Sequence, residues 1–282
     1  MEPTSALGAL GGAASEISKS GLAEKLLGPT AEYLGQHLRD MVERRLTNTG
    51  KIFQVAERRL GSRINNEGNV HPKVLKGILD DGSYAEDELA AEYFGGILAS
   101  SRSGVSRDDR GAYFCSLVGR LNTYQLRSHY IFYSLFKAGY EDGEFNLTND
   151  TDNRSVAAYI SWKSYLEGME FVEDEEFNAI LGNIFFGLHR EDLIGIFAYG
   201  NDASTHPFSS SPGPGIIVSP SALGAELFLW AHGLGNVASA RFFHPDIQIQ
   251  GEMLIPRAED TFVTDAKKEQ AKARRQQEKA AE

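Results

Sequence analysis

Val70-His71-Pro72-Lys73-Val74-Leu75 opens the stretch that decides the fold. Asp80-Asp81-Gly82-Ser83 follows, and then Glu86-Asp87-Glu88-Leu89-Ala90-Ala91-Glu92-Tyr93-Phe94-Gly95-Gly96-Ile97-Leu98-Ala99-Ser100-Ser101. Pro72 suits the first turn of a helix, where its missing N–H costs nothing. Ser83 with Glu86 reads as a capping box, and the stripe Leu89, Ala90, Tyr93, Phe94, Ile97 and Leu98 recurs at helical spacing. The stretch therefore predicts two short helices around a capped turn.

Working downstream, Ser106 with Asp109 reads as a second cap before Tyr113, Phe114, Leu117, Val118 and Leu121, and a further helix is expected from Tyr124 to Lys137, closed by Gly139. Closely spaced helices of this kind argue for a bundle. Upstream, Leu7, Leu10, Ala14 and Ile17 place a weak, glycine-diluted amphipathic helix within residues 5–27. Gly28-Pro29 punctuates the chain before a helix carrying Leu34, Leu38, Met41 and Val42. A separate helical segment with Ile52, Phe53, Ala56 and Leu60 is expected to end near Gly61.

Beyond the bundle the signals mix. Tyr140–Arg154 reads as a loop, Ser155–Phe171 stays open between helix and strands, and Phe177, Ile180, Leu181, Ile184, Phe185 and Leu188 form an amphipathic helix. Asp192–Tyr199 fits helix or strand, Asn201–Gly215 a Ser/Pro/Gly-rich loop, and Ile216-Ile217-Val218 a strand. Ser219-Pro220-Ser221 starts a helix through Leu223, Leu227 and Phe228. Alternation of Ile247, Ile249, Met253 and Ile255 suggests a strand or hairpin, and from Asp265 the chain is charged and apolar-poor. The expected organisation is an amphipathic, basic helical arm over 1–65, a helical bundle over 66–140, an α+β portion over 141–263 and a charged tail over 264–282. The fold class is mainly α, with a smaller C-terminal α+β portion that resembles a winged helix.

The Pro72-led helix, the acidic capped turn and the apolar helix ending in Ile97-Leu98-Ala99 resemble the bacterial Abi-alpha group. A later strand, glycine (Gly224) and helix resemble that group's C-terminal pattern, with Ser219-Pro220 in place of its Leu-Thr-like turn. The resemblance covers roughly residues 25–235. It implies a bacterial protein of abortive infection or antiphage defence that acts through protein–protein association, and it brings no catalytic residues.

Composition bounds the rest. With 282 residues and 41% hydrophobic content the chain can bury a sizeable core, and a formal charge of −11 argues against nucleic acid as a partner of the whole surface. Charge is uneven, however: Arg39, Arg44, Arg45, Lys51, Arg58, Arg59 and Arg63 outnumber Asp40, Glu43 and Glu57. The lone Cys115, among Tyr113, Phe114, Leu117 and Val118, reads as a buried structural thiol and rules out an internal disulfide. A start without basic residues and the lack of roughly 18 consecutive apolar residues lead to the expectation of a cytoplasmic protein, with peripheral membrane attachment as a variant.

Gly233-Leu234-Gly235-Asn236-Val237-Ala238 fits a dinucleotide fingerprint, but the segment before it reads as a helix, so a helix end is the plainer explanation. No phosphate loop, H-E-x-x-H, G-x-S-x-G or paired C-x-x-C occurs, and His37, His71, His129, His189, His206, His232 and His244 lack metal-ligand spacing with cysteine. Neither a cofactor nor a metal is expected. The carboxylate runs Glu86-Asp87-Glu88, Asp108-Asp109 and Glu173-Asp174-Glu175-Glu176 fall at expected helix starts, where capping accounts for them; Asp80-Asp81 does not. No catalytic residue is assigned. The candidate interaction surface is Leu34, Leu38, Met41, Arg44, Arg45, Arg58 and Arg59, facing a protein partner, a second copy or an anionic membrane. The alternatives to association are a membrane-perturbing effector using the N-terminal arm and a cryptic nuclease assembled from dispersed carboxylates.

Overall fold

The computed structural model describes residues 30–140, 145–172, 174–200, 214–249 and 261–263, with 30–40 and 261–263 as backbone only. The chain divides into two units, Met1–Thr47 and Asn48–Glu282. The helix expected within 5–27, the Pro29 start, most of the 201–215 loop and the tail beyond 263 lie outside the described residues.

The described part of the first unit is helical. It belongs to α1 (Thr30–Leu60), whose residues from Asn48 onward belong to the second unit. Two helices were expected here; one continuous helix is found. Thr47 and Thr49 do not break it because the Thr47 hydroxyl satisfies itself on the Glu43 carbonyl one turn back, at 3.0 Å. In the second unit, Asn48 is buried and donates to the Ser83 carbonyl at 3.1 Å.

The second unit is mainly helical with a small antiparallel sheet. Its further helices are α2 (Pro72–Asp80), α3 (Glu88–Ser100), α4 (Arg110–Arg120), α5 (Thr123–Gly139), α6 (Asp150–Asn153), α7 (Trp162–Met169), α8 (Phe177–Arg190) and α9 (Ala222–Ala231). Its strands are β1 (Ala158–Ser161), β2 (Phe197–Gly200), β3 (Gly215–Val218) and β4 (Thr261–Val263), in the order β2-β3-β1-β4. Ala158 pairs with Val218 and Ile160 with Ile216, and these four residues join the main core; Tyr159 and Ile217, paired between them, form a smaller cluster with Ala157. That division is the period-two alternation of a strand expressed as two faces.

The main core is one apolar cluster running from Ile52 to Ile247. Helix α3 lies at its centre, buried from Tyr93 to Ser100. Adjacent glycines make this possible. A β-carbon on Gly95 would come within 2.5 Å of the Val55 side chain, and one on Gly96 within 1.8 Å of the Ala231 carbonyl oxygen. The glycines therefore admit α1 on one side and the end of α9 on the other.

Several local expectations change. Ser83 does not cap α3. The chain past α2 tightens into a 3-10 turn over Gly82–Tyr84, in which the Ser83 hydroxyl donates to the Leu79 carbonyl at 2.6 Å. Asp87 is the cap instead, accepting from the Leu89 N–H at 3.3 Å. Ser106 is not a cap either, since Asp108 takes the Arg110 N–H at 3.3 Å next to the start of α4. Before α8, Glu175 accepts from the Val172 N–H and the Tyr124 hydroxyl rather than capping the helix. The Tyr140–Arg154 loop contains the short α6, capped by Asn149. Residues 247–249 are not a strand, and 250–255 lie outside the described residues. The 155–171 ambiguity resolves as β1 followed directly by α7, with Ser161 capping the helix.

Phe94 is 2% exposed in the core, so Phe94→Ala is expected to cost about 3–5 kcal/mol in urea denaturation. Gly96→Ala, although a smaller chemical change, is expected to be at least as damaging, because the Ala231 backbone cannot yield as a side chain can. An unchanged denaturation midpoint in either variant would reject this packing.

Candidate functional site

The basic residues picked out by sequence divide between two environments. Leu34 and Leu38 lie on α1, on the described backbone of the first unit. In the same unit Met41, Val42, Arg44 and Leu46 are exposed and Arg45 is half-buried. Arg58 and Arg59, in the second unit, face one another's partner: Arg58 pairs with one oxygen of Glu92 and Arg59 with the other at 3.0 Å.

Arg59 is only 8% exposed, which removes it from any lipid or nucleic-acid surface. Ile52, Val55, Ala56 and Arg59 are spaced three and four apart, so Arg59 sits on the core-facing row of α1. That spacing is visible in the sequence and is the signal that separates Arg59 from its neighbour Arg58. Glu92 was absent from the candidate surface because its role is set by a contact distant along the chain.

Around this pair three helices end. Arg63, just beyond α1, donates to the Arg59 carbonyl at 2.8 Å and to the Gly233 carbonyl at 3.3 Å. Arg102, just beyond α3, donates to the Arg63 carbonyl at 2.8 Å and the Asn66 carbonyl at 2.6 Å. Gly233 ends α9 with φ +75°; its N–H reaches Trp230 at 3.1 Å and the Leu234 N–H reaches Leu229 at 3.0 Å. These two bonds form a Schellman stop, so the Gly233-Leu234-Gly235 motif is a helix end. Arginines at C-terminal helix ends satisfy leftover carbonyls and offset the negative dipole end.

Two buried histidines lie behind the cluster. His129 accepts from the Tyr93 hydroxyl on Nδ1 at 2.6 Å and donates from Nε2 to the Gly224 carbonyl at 3.1 Å. His232 donates from Nδ1 to the Phe228 carbonyl at 2.7 Å, and its buried Nε2 has no hydrogen-bond partner among the described residues. Burial pushes His129 down to about 3, with His232 adding to the effect; burial and the Arg59 charge push His232 down to about 3. Both rings are held neutral, stacked among Tyr130, Tyr133 and Phe228. They are core histidines rather than exposed proton shuttles.

Cys115 is fully buried and burial raises its thiol to about 12, so it is an inert core residue. Among the described residues no three His, Cys, Asp or Glu side chains gather to hold a metal, and no helix is long and apolar enough to cross a membrane. Comparison of the chain with protein-family models, with curated proteins and with solved structures finds no match.

The two neutral histidines tie stability to pH. Their pKa is lowered from 6.5 to about 3 on folding, so the unfolded chain binds more protons and stability falls as pH drops below about 6.5. Between pH 7 and 5 each contributes a loss of about 2 kcal/mol. Urea midpoints at the two pH values should show it, and His232→Gln should remove about half of the histidine-linked difference. An identical pH response in that variant would show that His232 is not held neutral.

Proposed function

We propose that this chain is a bacterial defence protein of the abortive-infection kind that works by associating with another protein surface. The observation that carries the reading is the exposure of Met41 (40%), Val42 (55%) and Leu46 (59%) on α1. Three large apolar side chains within two turns of helix leave apolar area in water, and burying it against a partner is favourable at about 25 cal/mol per Å². The resemblance of the 70–101 stretch to the Abi-alpha group supplies the biological setting.

The order α5, α6, β1, α7, α8, β2, β3, with β3 paired between β2 and β1, supports a winged-helix-like reading of this portion as part of the proposal. Such a fold does not by itself mean DNA binding. Helix α8 carries only His189 and Arg190 as basic residues, Asp174 and Glu176 precede it, and Phe186 stands 64% exposed on it. That surface suits an apolar protein contact better than phosphate.

Expression of the full chain in bacteria challenged with phage is expected to protect them. Replacing Met41, Val42 and Leu46 together by serine should abolish protection while leaving the melting temperature unchanged, because none of the three is buried. Protection that survives the triple change would overturn the association reading. Salt-sensitive binding to phosphatidylglycerol vesicles, lost in an Arg44→Gln, Arg45→Gln variant, would instead assign the arm to an anionic membrane.

A further inference from the structure

Helix α8 carries two glycines in different surroundings. A β-carbon on Gly187 would come within 2.1 Å of the Gln125 amide nitrogen, so internal packing accounts for it; one on Gly182 would meet nothing within 4 Å among the described residues. Glycine weakens a helix interior relative to alanine. What it offers in exchange is the close approach of another backbone.

Gly182 lies on the side of α8 turned away from the core. Leu181, Ile184, Phe185 and Leu188 are buried, whereas Ala179, Phe186 and Arg190 are exposed. Ala179, Gly182 and Phe186 follow at spacings of three and four, which sets them in one row. Phe186 is 64% exposed, and its edge contact with Phe197, ring centroids 5.4 Å apart, holds the ring in place without covering it.

Charge decides what fits this row. Asp174 and Glu176 are exposed at the N-terminal end of α8, His189 and Arg190 at its C-terminal end. At 1.5 Å per residue Glu176 lies about 9 Å before Gly182 along the axis and Arg190 about 12 Å after it, and at 100° per residue both flank the row on the same side. A two-fold axis through Gly182 therefore brings Glu176 of one copy beside the partner's Arg190, twice over, with the helix dipoles antiparallel and each Phe186 beside the partner's Ala179. Arg190 also touches Glu191 at 3.3 Å, but Arg120 holds that carboxylate at 2.8 Å.

We propose that two copies of this chain associate through α8, crossing antiparallel at Gly182. This contact is separate from the exposed α1 surface. One helix against one helix falls at the small, transient end of interfaces, and the formal charge of −11 repels a second copy at long range. A reversible dimer with a dissociation constant on the order of 10 µM is expected.

Sedimentation equilibrium of the full chain at about 0.15 M salt, where long-range repulsion is screened, tests this. Gly182→Gln disturbs no internal contact and should weaken the dimer about tenfold or more, with the melting temperature unchanged or raised. Glu176→Lys and Arg190→Glu should each weaken it about as much, since each opposes like charges twice. Mixing these two variants, or combining both changes in one chain, should restore the dimer, a rescue specific to the antiparallel crossing. Melting temperatures check that each variant folds. The variant with Met41, Val42 and Leu46 replaced by serine should dimerise as the unaltered chain does; loss of the dimer there would place the contact on α1 and overturn this proposal while leaving the association reading standing. A chain still monomeric about tenfold above the expected constant, a dimer indifferent to Gly182→Gln, or a charge exchange without rescue would overturn it too, and would leave Phe186 to a different partner.

Discussion

The passage of the Ala231 carbonyl against Gly96 is the constraint on which the second unit depends. Helix α3 is buried along most of its length, so its neighbours must approach from several directions at once. Adjacent residues on a helix point about 100° apart. Gly95 and Gly96 therefore open two different sides, one for Val55 of α1 and one for the end of α9. Once α9 is fixed by its backbone, its C-terminal turn must stop at once, and Gly233 does so in the left-handed region. The arginines beyond α1 and α3 then face the carbonyls that these helix ends expose.

The same crossing explains why histidine is tolerated in the core. His129 lies on α5 and His232 at the end of α9, and each uses a main-chain carbonyl as the acceptor for its single proton. An imidazole so placed is a polar aromatic ring rather than a charge, and stacking with Tyr130 and Tyr133 replaces hydration. Arg59 adds a cation nearby that opposes protonation of His232. Glu92, held by Arg58 and Arg59, compensates that cation. Charge and aromatic packing are thus arranged as one polar network at the junction of α1, α3 and α9.

Much of this fold was legible where local signals coincide. Pro72, the apolar stripe of α3, the α8 period and the Ser219-Pro220-Ser221 start place four helices within a few residues of where they are found. The strands were harder because β1 spans only Ala158–Ser161 and runs straight into α7, leaving too few residues for a period to declare itself. Pairing of β4 with β1 joins residues about a hundred positions apart, and nothing local encodes it. The candidate surface was half legible: the basic character of residues 39–63 is compositional, but the burial of Arg59 depends on Glu92, which no adjacent residue announces.

Within the 70–101 stretch, packing and surface chemistry can be separated residue by residue. Phe94, Ile97 and Leu98 are accounted for by burial and Gly95-Gly96 by helix crossing; Asp87 is accounted for by its cap. Those constraints would hold equally for a helix with no role outside its own fold. Asp81 is different, because it carries negative charge at the wrong end of a helix dipole and makes no compensating ion pair. Asp81 is exposed and lies in the field of Lys76, so water and that longer-range attraction answer its carboxylate where packing and capping do not.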